Sequence, residues 1–165
     1  MSNVRRHNMP LASVPKHHVA LELLDRSIEL YLRGDSFYAA LHLGGAAEEL
    51  LAVYARGIPI TPTTTLAPAF DQMKELVVAL ISPQSPAERN DAEKWAHDRL
   101  NSAKNSVKHK RGPKDDAVNI DSKEEAYDVI DRAVATYFQL LPALRLPHLQ
   151  SVQAFDSRRR SECNE

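Results

Sequence analysis

The sequence predicts an all-α protein, a five-helix up-and-down bundle over residues 16–142, on three observations. Apolar residues return at three- and four-residue steps in five separate segments. Each segment is closed by Gly, Pro or a cluster of small polar residues. Runs that alternate apolar with polar are few, and the chain holds only 5 Gly, which argues against a sheet protein. Residues 1–15, polar and interrupted by two prolines, are expected to be a flexible arm. Residues 143–165, Pro-interrupted and ending in SRRRSECNE, are expected to be a flexible tail.

The first helix is expected over 16–32, on the stripe Val19, Leu24, Ile28, Tyr31 and Leu32. Gly34 stops it, and Asp35 or Ser36 can cap the next. That second helix, over 37–55, carries Phe37, Leu41, Gly44, Glu48, Leu51 and Ala55 at steps of four, three, four, three, four, so all six share one face. Gly44 and Gly45 each cost roughly 1 kcal/mol of helix stability relative to Ala, which calls for a closely packed neighbour. Glu48 stands in the apolar seam, where a carboxylate needs a partner, and Glu49 is placed outward. Gly57 ends the helix and IPITPTTTLAP reads as a loop. A third helix is expected over 68–81 with Phe70, Met73, Leu76, Val77, Leu80 and Ile81 inward. A fourth follows over 87–109 on Ala92, Trp95, Ala96, Leu100, Ala103 and Val107, ended by Gly112-Pro113. The fifth starts at the capping-box spacing Ser122-Lys-Glu-Glu125 and runs to about 141 on Ala126, Ile130, Ala133, Val134, Tyr137 and Leu141.

Composition narrows the function classes. A length of 165 residues suits one core. Lys+Arg at 21 against Asp+Glu at 22 leaves a net charge of −1, so a case for nucleic acid must rest on local clustering. A single cysteine, Cys163 in the polar tail, excludes a disulfide framework and fits a reducing cytoplasm. No apolar run reaches the roughly 18 residues of a membrane span, and the basic N-terminus lacks the apolar core of a signal peptide. There is no Gly-rich phosphate loop and no Gly-x-Ser-x-Gly, and no cofactor is expected. Glu93 and His97, four apart, share a helix face. A di-metal bundle needs two Glu-x-x-His motifs and further carboxylates, which are missing, so no metal is expected. His7, His17 and His18 fall in or beside the arm, and His42 has no evident role.

The local cluster is KNSVKHKRGPK, from Lys104 to Lys114. Together with an Ala-rich second helix that carries an acidic residue (AALHLGGAAEELL), it resembles the HEPN domain, named for higher eukaryotes and prokaryotes nucleotide-binding. The family motif is an Arg, four to six residues, then a His, with Asn, Asp or His often following the Arg. Lys104-Asn105-Ser106-Val107-Lys108-His109 keeps the Asn and the His and puts Lys in place of the Arg. The resemblance covers residues 16–142. It implies a homodimer whose motif helices face each other across a cleft. It also implies either a metal-independent ribonuclease, often a toxin beside an antitoxin or nucleotidyltransferase-like partner, or a degenerate relative that only binds.

Metal-free RNA cleavage needs a base, an acid and a cation for phosphorane charge. His109 is the acid–base candidate, Asn105 the phosphate contact and Lys104 the charge stabiliser, with Glu48 supporting from the second helix. Lys104 is a point charge where Arg would offer a two-pronged planar donor. Lys108, Lys110, Arg111 and Lys114 would draw in an RNA backbone. On the stripe assigned to the fourth helix, Asn105 and His109 face away from the core, and basic residues at a helix C-terminus are also what the helix dipole favours. The expected function is accordingly a non-catalytic RNA-, nucleotide- or protein-binding module. The alternatives are an endoribonuclease using His109 and a structural dimer without ligand. The Trp95–Leu100 surface and the Gly44–Gly45 groove are the expected dimer contacts.

Overall fold

Helices and one small hairpin build the fold. The structure, a computed structural model, describes residues 13–110 and 112–162. The helices are α1 (Lys16–Arg33), α2 (Phe37–Arg56), α3 (Ala69–Ile81), α4 (Pro86–Lys108), α5 (Ser122–Leu144) and α6 (Gln150–Glu162). The all-α class holds; the chain adds one helix and a hairpin to the five segments expected. Most of the N-terminal arm, along with Arg111 and Cys163, lies outside the described residues.

α2 packs along both α1 and α5, and these three helices supply most of the core. The face expected from its spacing is the buried one: Leu41, Gly44, Glu48, Leu51 and Ala55 are all inside. Leu24, Ile28 and Tyr31 meet it from α1; Ile130, Val134 and Tyr137 meet it from α5. Each fully buried Leu, Ile or Val contributes roughly 1.5–3 kcal/mol relative to exposure. Gly34 closes α1 in the left-handed region at φ 72°, and Ser36 caps α2 by accepting the Ala39 N–H.

The two glycines of α2 are explained from within the chain. A Cβ on Gly44 would stand 2.9 Å from Ser27 Oγ, which donates to the Ala40 carbonyl at 2.7 Å. A Cβ on Gly45 would stand 2.7 Å from Lys104 Cδ. The Gly44–Gly45 groove is therefore filled by α1, α4 and α5 and is not open to a second copy.

Four expectations are corrected. The Pro/Thr loop forms a hairpin, β1 (Pro59–Thr61) and β2 (Thr64–Thr65), because Thr61 Oγ1 accepts the Thr63 and Thr64 N–H groups and tightens the turn. α5 is capped by Asp121, whose carboxylate accepts from Lys123 N and Glu124 N; Ser122 is the first helical residue. The outer stripe of α3 faces solvent. Phe70 and Val78 are buried, while Met73, Leu76, Leu80 and Ile81 are exposed, as is Trp95 on α4. A second, smaller core of Val78, Ala92 and Ala96 joins α3 to α4.

The fourth correction is α6, which occupies most of the expected flexible tail. α5 runs through Pro142 and ends at Arg145 in the left-handed region. The Tyr137 hydroxyl donates to the Pro147 carbonyl at 2.7 Å and accepts from Leu149 N, which pins the connection. α6 then lays Val152 and Phe155 into the main core, with Phe155 against Tyr31 and Tyr127. Ser151 Oγ donates to Asp25 at 2.6 Å, and Arg159 donates to Asp131 at 2.8 Å. Among the described residues no helix is long and apolar enough to cross a membrane.

Candidate functional site

The seam position of Glu48 turns its carboxylate toward α4 and α5. Oε2 accepts from Lys104 Nζ at 2.6 Å, and Oε1 accepts from Arg132 Nε at 2.6 Å. Glu48 and Lys104 are each 2% exposed and Arg132 is buried. A carboxylate removed from water is tolerated only when charge and hydrogen bonds replace its hydration, and two cations do so here. Arg132 Nη2 is buried without a hydrogen-bond partner among the described residues. The Lys104 stem lies in the notch left by Gly45, and its ammonium sits 5.2 Å from the centroid of the Phe70 ring. Glu49 adds a second acid at the rim, 3.7 Å from Lys104 Nζ and 3.1 Å from Lys108 Nζ. Adjacent carboxylates on α2 thus answer three cations from α4 and α5.

Above this ion cluster a cleft of about 390 Å³ opens between α2, α3 and α4. His97, Asn101 and Asn105 line it from α4 at four-residue steps, which puts them on one side of the helix. Asn101 Nδ2 donates to the His97 carbonyl at 2.9 Å and lies 3.2 Å from His97 Nε2. The other ring nitrogen, Nδ1, stands 3.5 Å from Asp98 Oδ1. The imidazole meets Phe70 edge-on at 5.8 Å, yet its side chain stays 58% exposed. The Asn105 carboxamide, half-buried, has no hydrogen-bond partner among the described residues and borders a second hollow with Ser102 and Asp115. The opposite wall holds Arg56, which donates twice to Asp71, at 2.8 Å each. This bond holds the Asp71 carboxyl below its ordinary value and raises the guanidinium.

The sequence-predicted residues are divided between two places. Glu48, Lys104 and Asn105 come together in the cleft. His109 does not join them: it leaves the helix in extended conformation, is exposed, and lines a separate hollow with Lys108, Lys110 and Asp116. Lys108 pairs with Glu49 and Lys110 with Asp116, so much of the basic run is neutralised. Lys114 is exposed and has no ion pair among the described residues, and Arg111 lies outside them. Glu93 pairs with Arg89 at 2.9 Å, and no group of three His, Cys, Asp or Glu gathers as a metal site among the described residues.

Sequence reasoning left out Phe70 as a cleft residue, Arg132, Asn101 and the Arg56–Asp71 pair, and weighed His97 only as a metal ligand. The signal for the α4 group was the repeat His97-x3-Asn101-x3-Asn105, a polar stripe with helical spacing. No protein-family model, no curated protein and no solved structure matches this chain.

Proposed function

We propose that the protein is a non-catalytic binding module whose α2–α3–α4 cleft takes the base of a nucleotide or of single-stranded RNA. The observation that carries this reading is the pairing of Lys104. The cation that a HEPN-like motif would set against phosphate lies 2.6 Å from Glu48 and is 2% exposed. Turning it toward a substrate would strip a buried carboxylate of one partner, a change that costs about 3–5 kcal/mol in comparable buried pairs. His109 stands elsewhere with its imidazole in solvent, so acid–base group and cation do not converge on one phosphate. Both placements support binding without turnover.

The cleft's free chemistry suits a base better than a phosphate. The exposed His97 ring offers a stacking surface, an interaction worth about 1–3 kcal/mol per base where it has been measured. The unpartnered Asn105 carboxamide carries both donor and acceptor and can meet a base edge. Arg56, Lys104 and Lys108 are each held by an acid. Kinship with the HEPN domain is part of the same proposal, supported by the meeting of the acidic α2 residue with the Lys104–Asn105 turn.

Calorimetric or NMR titration with a nucleoside, its monophosphate and a short RNA tests the reading. Nucleoside and monophosphate are expected to bind within a few-fold of each other, with Asn105→Ala weakening both by about tenfold, the loss of one hydrogen bond. Labelled RNA, without metal, is expected to stay intact with wild-type protein and with His109→Ala. Cleavage by the wild type that His109→Ala abolishes would replace this reading with an endoribonuclease. Absence of binding by any of the three would leave a structural bundle.

A further inference from the structure

The α2 wall of the cleft carries Glu49, Val53 and Arg56, at steps of four and three, on one face of the helix. It runs opposite to the His97–Asn101–Asn105 stripe of α4. Lys104 and Lys108, which bracket Asn105 in the chain, reach Glu49, whereas Arg56 bonds Asp71, next to the Phe70 that touches His97. Glu49 and Asn105 therefore share one end of the cleft. The hydrogen-bonding atoms open at that end form a small set. Glu49 Oε1 accepts from Lys108 Nζ at 3.1 Å, and Oε2 has no hydrogen-bond partner among the described residues. The Asn105 carboxamide is unpartnered as well. Val53, 64% exposed and one turn from Glu49, adds an apolar surface on which the face of a base can lie.

A carboxylate only accepts, so it separates the bases by what stands beside the first N–H it meets. Guanine places two donors side by side, N1–H and the 2-amino group. Adenine sets its amino group beside the N1 lone pair, cytosine sets its own beside N3, and uracil flanks N3–H with two carbonyls. Each of these three brings a lone pair against the second carboxylate oxygen. On the reading of this cleft as a base-binding site, we infer that Glu49 sets its specificity and that the base is guanine. N1–H and the 2-amino group donate to the Glu49 carboxylate, and the Asn105 amide donates to O6. An arginine side chain offers the same pair of donors, but it is a cation, and Arg56, Lys104 and Lys108 oppose it at this cleft; guanine is neutral. Lys108 keeps its bond to Oε1, so no paired cation has to leave its acid.

The experiment is calorimetric titration of the full chain with guanosine, inosine, adenosine, cytidine and uridine 5′-monophosphates, which share one charge and one sugar. The guanosine nucleotide is expected to bind about tenfold or more tightly than the adenosine, cytidine and uridine nucleotides, the difference made by hydrogen bonds to an ionised group. The inosine nucleotide, which keeps N1–H and lacks the 2-amino group, should fall between. Glu49→Gln, at a position 58% exposed, should keep wild-type circular dichroism. Its amide pairs an acceptor with a donor, so guanosine binding should weaken about tenfold while adenosine and cytidine binding holds or tightens. A loss of folding alone would weaken all five together. Equal binding of the five by the wild type, or a guanosine preference that survives in Glu49→Gln, would overturn this inference and leave the base-binding cleft standing. Binding of none of the five would overturn both.

Discussion

Glu48 holds two cations at once, and that sharing sets how its neighbours respond to substitution. Glu48→Ala takes the hydrogen-bonded carboxylate from both buried cations, leaving Lys104 only Glu49 at 3.7 Å, and is expected to cost about 3–5 kcal/mol. Lys104→Met keeps the stem that fills the Gly45 notch and leaves Glu48 its bond from Arg132, so its cost should be smaller by about 2 kcal/mol. Urea denaturation midpoints of the two variants check this, and equal losses would contradict the sharing. At this scale the sequence was readable where one helix decides the answer. The seven-residue rhythm of α2 put Glu48 inside and Glu49 outside, as found. It was unreadable where several helices decide together. Arg132 sits off the expected α5 stripe because α5 touches α1, α2 and α3 and is buried over a wider arc than one stripe describes. The sequence marks His97 only as a neighbour of Glu93 and gives Asn101 no role; α2 and α3 standing opposite make that side of α4 a cleft wall.

Helices α3 and α6 show the same limit one level up. Periodicity located α3 and its apolar stripe, but a stripe says that a face wants cover without saying what covers it. In this chain Phe70 and Val78 are covered from within and Val77 in part, while Met73, Leu76, Leu80 and Ile81 are left exposed. α6 was missed for the opposite reason: it is polar nearly all round, with Val152 and Phe155 as its two buried side chains. Its order comes from the Tyr137 hydrogen bonds, from the Ser151 hydrogen bond to Asp25 of α1 and from the Arg159–Asp131 ion pair to α5, none of which a local pattern encodes. Phe155→Ala is expected to cost about 3–5 kcal/mol, the loss of a fully packed aromatic. An unfolding midpoint equal to that of the wild type would show that the C-terminal segment is not part of the core.

Across the whole molecule the near balance of 21 basic and 22 acidic residues is repeated locally at the KNSVKHKRGPK segment. Lys104 meets Glu48, Lys108 meets Glu49 and Lys110 meets Asp116, so a run that reads as a positive patch in sequence is largely quenched in space. Partners from α2 and from the loop after α4 do this, at separations that inspection of the run alone does not reveal. The central claim is that ligand binding in the cleft does not draw on these paired cations. The salt dependence of affinity for a short single-stranded RNA tests it most directly, since the slope of log affinity against log salt is about −0.7 per phosphate neutralised. Among the described lysines of the run only Lys114 is left to contribute, so a slope no steeper than about −1 is predicted. A slope of about −3 or steeper would mean that the lysines abandon their acids for phosphates, and would contradict the account.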